Sequence, residues 1–165
     1  MIYAHLKSEV IEPALRYLCA WNPSINSEAA INLLVGIAAQ ESGGGRFLRQ
    51  KGGGPALGIY QIEPATHDDL WQNYLKYHNK LREIALNAST RQSSCSCRVH
   101  ELIYNNFYAT VIARLLLWRI AEPLPPAHDV WEMGAYWKKH WNTNIGKGTV
   151  EDFVDNYERY TGGVK

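Results

Sequence analysis

The longest helically periodic stretch of the chain covers residues 99–121, and it constrains the fold more than any other feature. Leu102, Ile103, Phe107, Val111, Arg114, Leu117, Trp118 and Ala121 recur every three to four positions, a spacing that lines one face of an α-helix and matches no strand. So much apolar surface on one helix is covered only if other elements pack around it, so the spacing predicts a central helix in a mainly α fold. Pro123, Pro125 and Pro126 end it, because the residue before a proline is pushed out of the helical region. The flanking chain reads the same way. A helix is predicted over 4–20, with Leu6, Val10, Ala14, Leu15 and Leu18 on one side and Pro13 marking a kink or a late start. Asn26-Ser27 caps a helix over 28–41, and Pro64 opens another, with Asp68 and Asp69 near its positive end. Further helices are predicted over 78–88, from a cap at His128 or Asp129 to about 141, and from Thr149 to Tyr160, the last with Val150, Phe153, Val154 and Tyr157 inward. Residues 57–62 are the one candidate for an extended or hairpin segment. There is no internal repeat and no linker, so 165 residues predict one domain over 1–165.

Composition narrows the function classes. The chain is 46% hydrophobic and 20% charged, an ordinary globular balance. A formal net charge of +1 without a concentrated basic run gives no reason to expect a nucleic-acid partner. The most apolar run, residues 111–118, is short and interrupted by Arg114, so no membrane insertion is expected. Lys7, Glu9, Glu12 and Arg16 leave no apolar core for a signal peptide. Of the three cysteines, Cys19 lies on an apolar stripe and reads as a small buried hydrophobe. Cys95 and Cys97, with His100 close behind, lack a fourth ligand for zinc. Neither a metal nor a cofactor is expected, and a reducing compartment fits. The six tryptophans and ten tyrosines are generous for a chain of this size, and a core role is the reading preferred for them. Aromatics in excess often line carbohydrate grooves, although many here fall at core spacing.

One carboxylic acid is placed to do chemistry. The apolar stripe Ala30, Leu34, Ile37 and Ala38 continues to Glu41, and the triplet Gly43, Gly44 and Gly45 then stops the helix. Burial at that lip disfavours the charged form of the acid, and the negative end of the helix dipole acts in the same direction. A carboxyl that keeps its proton near neutral pH meets the requirement for a general acid. The alternative is a solvated glutamate at a helix end.

Beyond Glu41, the residues Ser42, Ala56, Gly58, Gln61, Ile62, Pro64 and Thr66 fall in a pattern that resembles the lysozyme-like lytic transglycosylases. Those enzymes carry a catalytic Glu-Ser pair, a short loop, and then Gly-Ala-x-Gly-Leu-Met-Gln-Ile-x-Pro-x-Thr. The departures are Pro55 for the usual Gly, Gly52 where Ser is frequent, and Ile59-Tyr60 for Leu-Met. The likeness is strong over 38–70 and weak elsewhere. It implies a mainly α, single-domain lysozyme-like fold with at most a small β-hairpin. It also implies cleavage of the β-1,4 bond between N-acetylmuramic acid and N-acetylglucosamine in peptidoglycan. Glu41 would serve first as acid and then as base, while the substrate's own 6-hydroxyl attacks to give a 1,6-anhydro product. Together with the missing export signal, the resemblance points to a phage or prophage lysin. Such a protein is held in the host cytoplasm until lysis or carried among virion components, with the peptidoglycan glycan strand as its partner.

The chemistry of the residues after the Gly58 turn, and for the later segments the same resemblance, supply the remaining site residues. Gly58 would let the backbone approach a ligand, Gln61 would offer its amide to an acetamido group or hydroxyl, and Tyr60 would pack on a sugar face. Ser42 is either a hydrogen-bonding neighbour of the substrate or a helix cap. A third family signature, Ala-Tyr-Asn, is matched by Ala135 and Tyr136, but Trp137 stands in the place of Asn, and an insertion precedes Gly146 and Gly148. Asn142 could supply the amide instead, and Tyr136 could equally be a packed helix residue. Of the tyrosines in the last helix, Tyr157 is preferred over Tyr160 as the partner of the acid. Glu63, Asp68 and Asp69 are weak candidates for a second carboxylate, which leaves a hydrolytic muramidase as the alternative enzyme. A non-catalytic wall-binding or phage structural protein is the alternative outside enzymes.

Overall fold

A computed structural model describes residues 1–90, 98–142 and 147–163. The described residues are mainly helical and form no strand. The elements are α1 (Tyr3–His5), α2 (Glu12–Leu18), α3 (Glu28–Ser42), α4 (Pro64–Asn73), α5 (Asn79–Asn87), α6 (Glu101–Tyr104), α7 (Asn106–Trp118), α8 (Val130–Trp137) and α9 (Val150–Thr161). Short 3₁₀ turns at Pro23–Ile25 and Leu75–Tyr77 join some of them. A continuous core runs through all the long helices, from Leu6 to Tyr157.

At the centre stands α7. Every residue from 108 to 117 is buried, the pattern of a helix covered on all sides. Arg114 is among them: its Nε donates to the Ile25 carbonyl at 2.8 Å, and burial lowers its pKa to about 10. The periodic segment 99–121 is not one helix, however. Asn105 leaves the helical region at φ −106° and ψ 84°, and its side chain accepts from the Tyr108 N–H at 3.0 Å. Its amide also donates to Glu101 Oε2 and to the Ala88 carbonyl. An asparagine that bonds its own neighbourhood in this way competes with the backbone ladder, so it ends α6 and caps α7.

Pro13 explains the N-terminal segment. Between α1 and α2 the chain takes a π-helical turn over Leu6–Ile11, just upstream of the residue that has no N–H to donate. The wider turn keeps both Leu6 and Ile11 buried. At the other end of the chain, α9 packs closely against α3 and α8. Small residues allow this: a Cβ on Gly36 would lie 2.3 Å from Phe153 Cζ, and one on Gly134 would lie 2.9 Å from Val150 Cγ1. The predicted hairpin is reduced to a single tight turn, in which the Leu57 and Ile62 backbones exchange both hydrogen bonds at 3.0 Å. No helix among the described residues is long and apolar enough to cross a membrane. Cys19 is half-buried, and the Cys95-x-Cys97 pair lies outside the described residues.

Candidate active site

The C-terminal end of α3 sets the position of Glu41. Ser27 caps the start of the helix by accepting from the Ala30 N–H at 3.1 Å, and Gly43 ends it in the left-handed region at φ 60°, where a Cβ is disfavoured. The Ser42 hydroxyl locks this end in place. It sits within reach of the Ala38 and Ile59 carbonyls, at 3.1 and 2.7 Å, and accepts from the Gly45 N–H at 2.8 Å. Glu41, one residue earlier, is left at the wall of a groove of about 1250 Å³.

The groove is lined by the end of α3, the following turn with Arg46 and Phe47, and the α9 residues Asn156, Arg159 and Tyr160, together with Gln61, Ile62, Glu63 and Thr66, the end of α7, and His140, Trp141 and Asn142. Trp141 is fixed by its Nε1, which donates to the Tyr60 carbonyl at 3.3 Å. Gln61 holds the one positive φ among described residues other than glycine, 47°, and its Nε2 donates to the Gly58 carbonyl at 2.8 Å. A strained residue of this kind persists only where its surroundings determine it, and such residues cluster at functional sites.

Glu41 differs from Asp69 and Glu122, whose carboxyls hydrogen bonds hold below the usual range. Burial pushes its pKa up from 4.5 to about 7, opposed by a hydrogen bond from Trp137, whose Nε1 donates to Glu41 Oε1 at 2.8 Å. Desolvation wins because one neutral donor replaces only part of the hydration a carboxylate loses. Trp137 is itself fully buried against Phe153, with ring centroids 5.4 Å apart, so the donor that holds the acid is rigid. A protonated carboxyl open to a groove and fixed by an immobile indole can deliver a proton at neutral pH.

The predicted site residues divide in two. Glu41, Gln61 and Asn142 line the groove together; the Asn142 amide donates to the Gly148 carbonyl at 3.1 Å. Ser42 borders it too, but its hydroxyl is taken up by the three backbone bonds above, so it fastens the helix end and does not meet a substrate. Tyr60 points into the core instead of the groove: it is buried, with its hydroxyl 3.0 Å from Thr110 Oγ1. Gly58 is needed for close approach to protein, not ligand, since a Cβ there would lie 1.8 Å from the Leu102 carbonyl oxygen. Tyr136 turns away as well, donating to the Glu122 carbonyl at 3.3 Å and packing on His140 at 4.5 Å between centroids. Tyr157 is buried beside Phe153, and it is Tyr160 that lines the groove. Tyr160 seats its ring where a Gly44 side chain would be, and its hydroxyl donates to the Met1 carbonyl at 2.9 Å, so it does not donate to Glu41.

Trp137 is the residue that sequence reasoning missed. It occupies the place of the expected Asn, yet it is the direct partner of the acid. Its position one turn after the buried Met133 signals an inward face, and a buried indole N–H requires an acceptor. Phe47 and Trp141 were also overlooked as groove aromatics. No family model, curated protein or solved structure matches the chain.

Proposed function

We propose that the protein is a peptidoglycan-cleaving enzyme that breaks the β-1,4 bond between N-acetylmuramic acid and N-acetylglucosamine, with Glu41 as its acid and base. The reading is carried by one observation: a half-buried carboxyl with a pKa of about 7 at the wall of a groove of about 1250 Å³. The resemblance of residues 38–70 to lytic transglycosylases supports it, as do groove aromatics suited to sugar faces. In this mechanism Glu41 gives its proton to the bridging oxygen, and the C1–O bond breaks as positive charge grows on the muramic acid ring. The resulting Glu41 carboxylate takes the proton from the 6-hydroxyl of the same sugar, whose oxygen closes on C1. The products are a 1,6-anhydro end and a free N-acetylglucosamine hydroxyl, and Glu41 is protonated again. A lysin of phage or prophage origin, carried in a virion or released at lysis, is the biological setting we favour.

Glu63 favours a second reading, because it lines the same groove as Glu41. A carboxylate there could activate a water, which would make the enzyme a hydrolytic muramidase. Clearing of purified cell walls followed by mass spectrometry of the released fragments tests both readings. The transglycosylase product is lighter than the hydrolysed one by one water. Glu41→Gln is expected to lose at least about a thousandfold of the clearing activity with its helical circular dichroism intact. Wild-type clearing by that variant would remove Glu41 from the mechanism.

A further inference from the structure

Beside the groove lies a second, shallower hollow of about 520 Å³. Gly43, Arg46, Arg159 and Tyr160 line both spaces, so two guanidinium groups stand where the hollow opens toward Glu41. Among the described residues neither guanidinium has an ion-pair partner: the ion pairs there use Arg119, Lys139, His67 and His140 on the basic side, and no described carboxylate lies in salt-bridge range of Arg46 or Arg159. Arg119, which also lines the groove, is by contrast paired with Asp69 at 2.6 Å.

Arg159 is held through its side chain, and Arg46 through its backbone alone. Arg159 Nη1 donates to Asn156 Oδ1 at 3.1 Å, and Asn156 Nδ2 donates to Gln40 Oε1 at 2.7 Å. A chain of amides therefore ties this guanidinium to the residue next to Glu41. The Arg46 backbone N–H donates to the Ser42 carbonyl at 2.8 Å, which pins its Cα to the turn leaving α3. Its side chain has no polar partner among the described residues. Two solvent-exposed forks beside the groove, neither with an ion-pair partner among the described residues, match a planar anion that can be bound through two oxygens.

We propose that Arg46 and Arg159 bind a carboxylate carried by the glycan substrate, and so select acid-bearing strands over neutral N-acetylglucosamine polymers. The inference rests on the glycan-cleaving reading given above. Two sources offer this chemistry. A muramic acid whose peptide stem has been removed exposes its own lactyl carboxylate; with the stem in place, that group is an amide and the carboxylates belong to the peptide.

Binding by the full-length Glu41→Gln protein, which holds substrate without turnover, separates the cases. Calorimetric titration would use stem-free glycan strands, stem-bearing strands and a chito-oligosaccharide. Adding Arg46→Gln and Arg159→Gln is expected to weaken an acid-bearing strand by about tenfold or more, to leave the chito-oligosaccharide within about twofold, and to flatten the dependence on salt. Weakening on stem-free strands assigns the lactyl group; weakening confined to stem-bearing strands assigns the peptide. The double Lys variant keeps the charge without the fork and should fall between. Equal weakening of all three probes, or none, overturns the proposal. Unchanged affinity on adding the pair of substitutions, while the parent protein with Glu41 intact clears walls, defeats the arginine pair alone. A parent protein that clears no walls, with a Glu41→Gln form that binds none of the probes, defeats the functional reading with it.

Discussion

A carboxyl that holds its proton to about pH 7 inside a folded chain makes stability depend on acidity. Glu41 titrates near 4.5 when exposed and near 7 when folded. Between those values the unfolded chain has released the proton and the native one has kept it, so unfolding becomes easier as pH rises. The burden is absent below about pH 4.5 and complete above about pH 7, where it amounts to about 3 kcal/mol at most. Glutamine keeps the shape and an acceptor for the Trp137 indole without the charge. Glu41→Gln should therefore match the parent in urea unfolding near pH 4.5 and exceed it increasingly toward pH 8; a difference that does not change with pH would show that the acid is not desolvated. Trp137→Phe probes the opposing influence. The indole N–H favours the ionised carboxyl, so its loss should move the alkaline limb of kcat/KM to higher pH while lowering the rate through a less fixed acid. A limb that moved down instead would contradict the role assigned to that bond.

Among the elements, the crossing of α3 and α9 determines whether the groove exists. Gly36 lets the Phe153 ring lie against the α3 backbone, and Phe153 in turn packs on Trp137. Gly36→Ala forces that ring to move, at a cost of about 1 to 3 kcal/mol, and the displacement should reach the Trp137–Glu41 bond as lost activity. Phe153→Leu leaves room for the new methyl, so the pair in a double-mutant cycle should cost less than the two changes added. Strict additivity in thermal melts would mean that the contact is not shared. Most of the elements were legible in advance because caps and breakers are local: Ser27, Pro64, Thr149 and Gly43 each act on their immediate neighbours. The break at Asn105 was not, because apolar spacing continues through it and only the side-chain bonds to Glu101 and Ala88 reveal it. Glu41 could be found from a helical stripe and a glycine stop. Tyr60 and Tyr157 could not be sorted from Trp141 and Tyr160, since a single aromatic suits a core and a groove equally until the opposite wall is known.

The whole molecule gives the groove no independent support. Its lining comes from residues near 41, 61, 116, 141 and 160, widely separated in sequence, and the helices that contribute to it, α3, α7 and α9 among them, share one core. Arg114 reaches across that core to the Ile25 carbonyl, and Asn32 reaches the Ala127 carbonyl at 2.9 Å, so segments distant in sequence are tied to the same core. A chain of this size with one shared core should unfold in a single cooperative step. Urea titrations at pH 6, below the Glu41 transition, should give one midpoint by far-UV circular dichroism, by tryptophan fluorescence and by residual wall-clearing activity. Activity lost at a lower urea concentration than helicity would mean that α9 or the turn around Gln61 opens first. The groove would then be a separately unfolding edge, and the strain held at Gln61 would be the first place to look for its weakness.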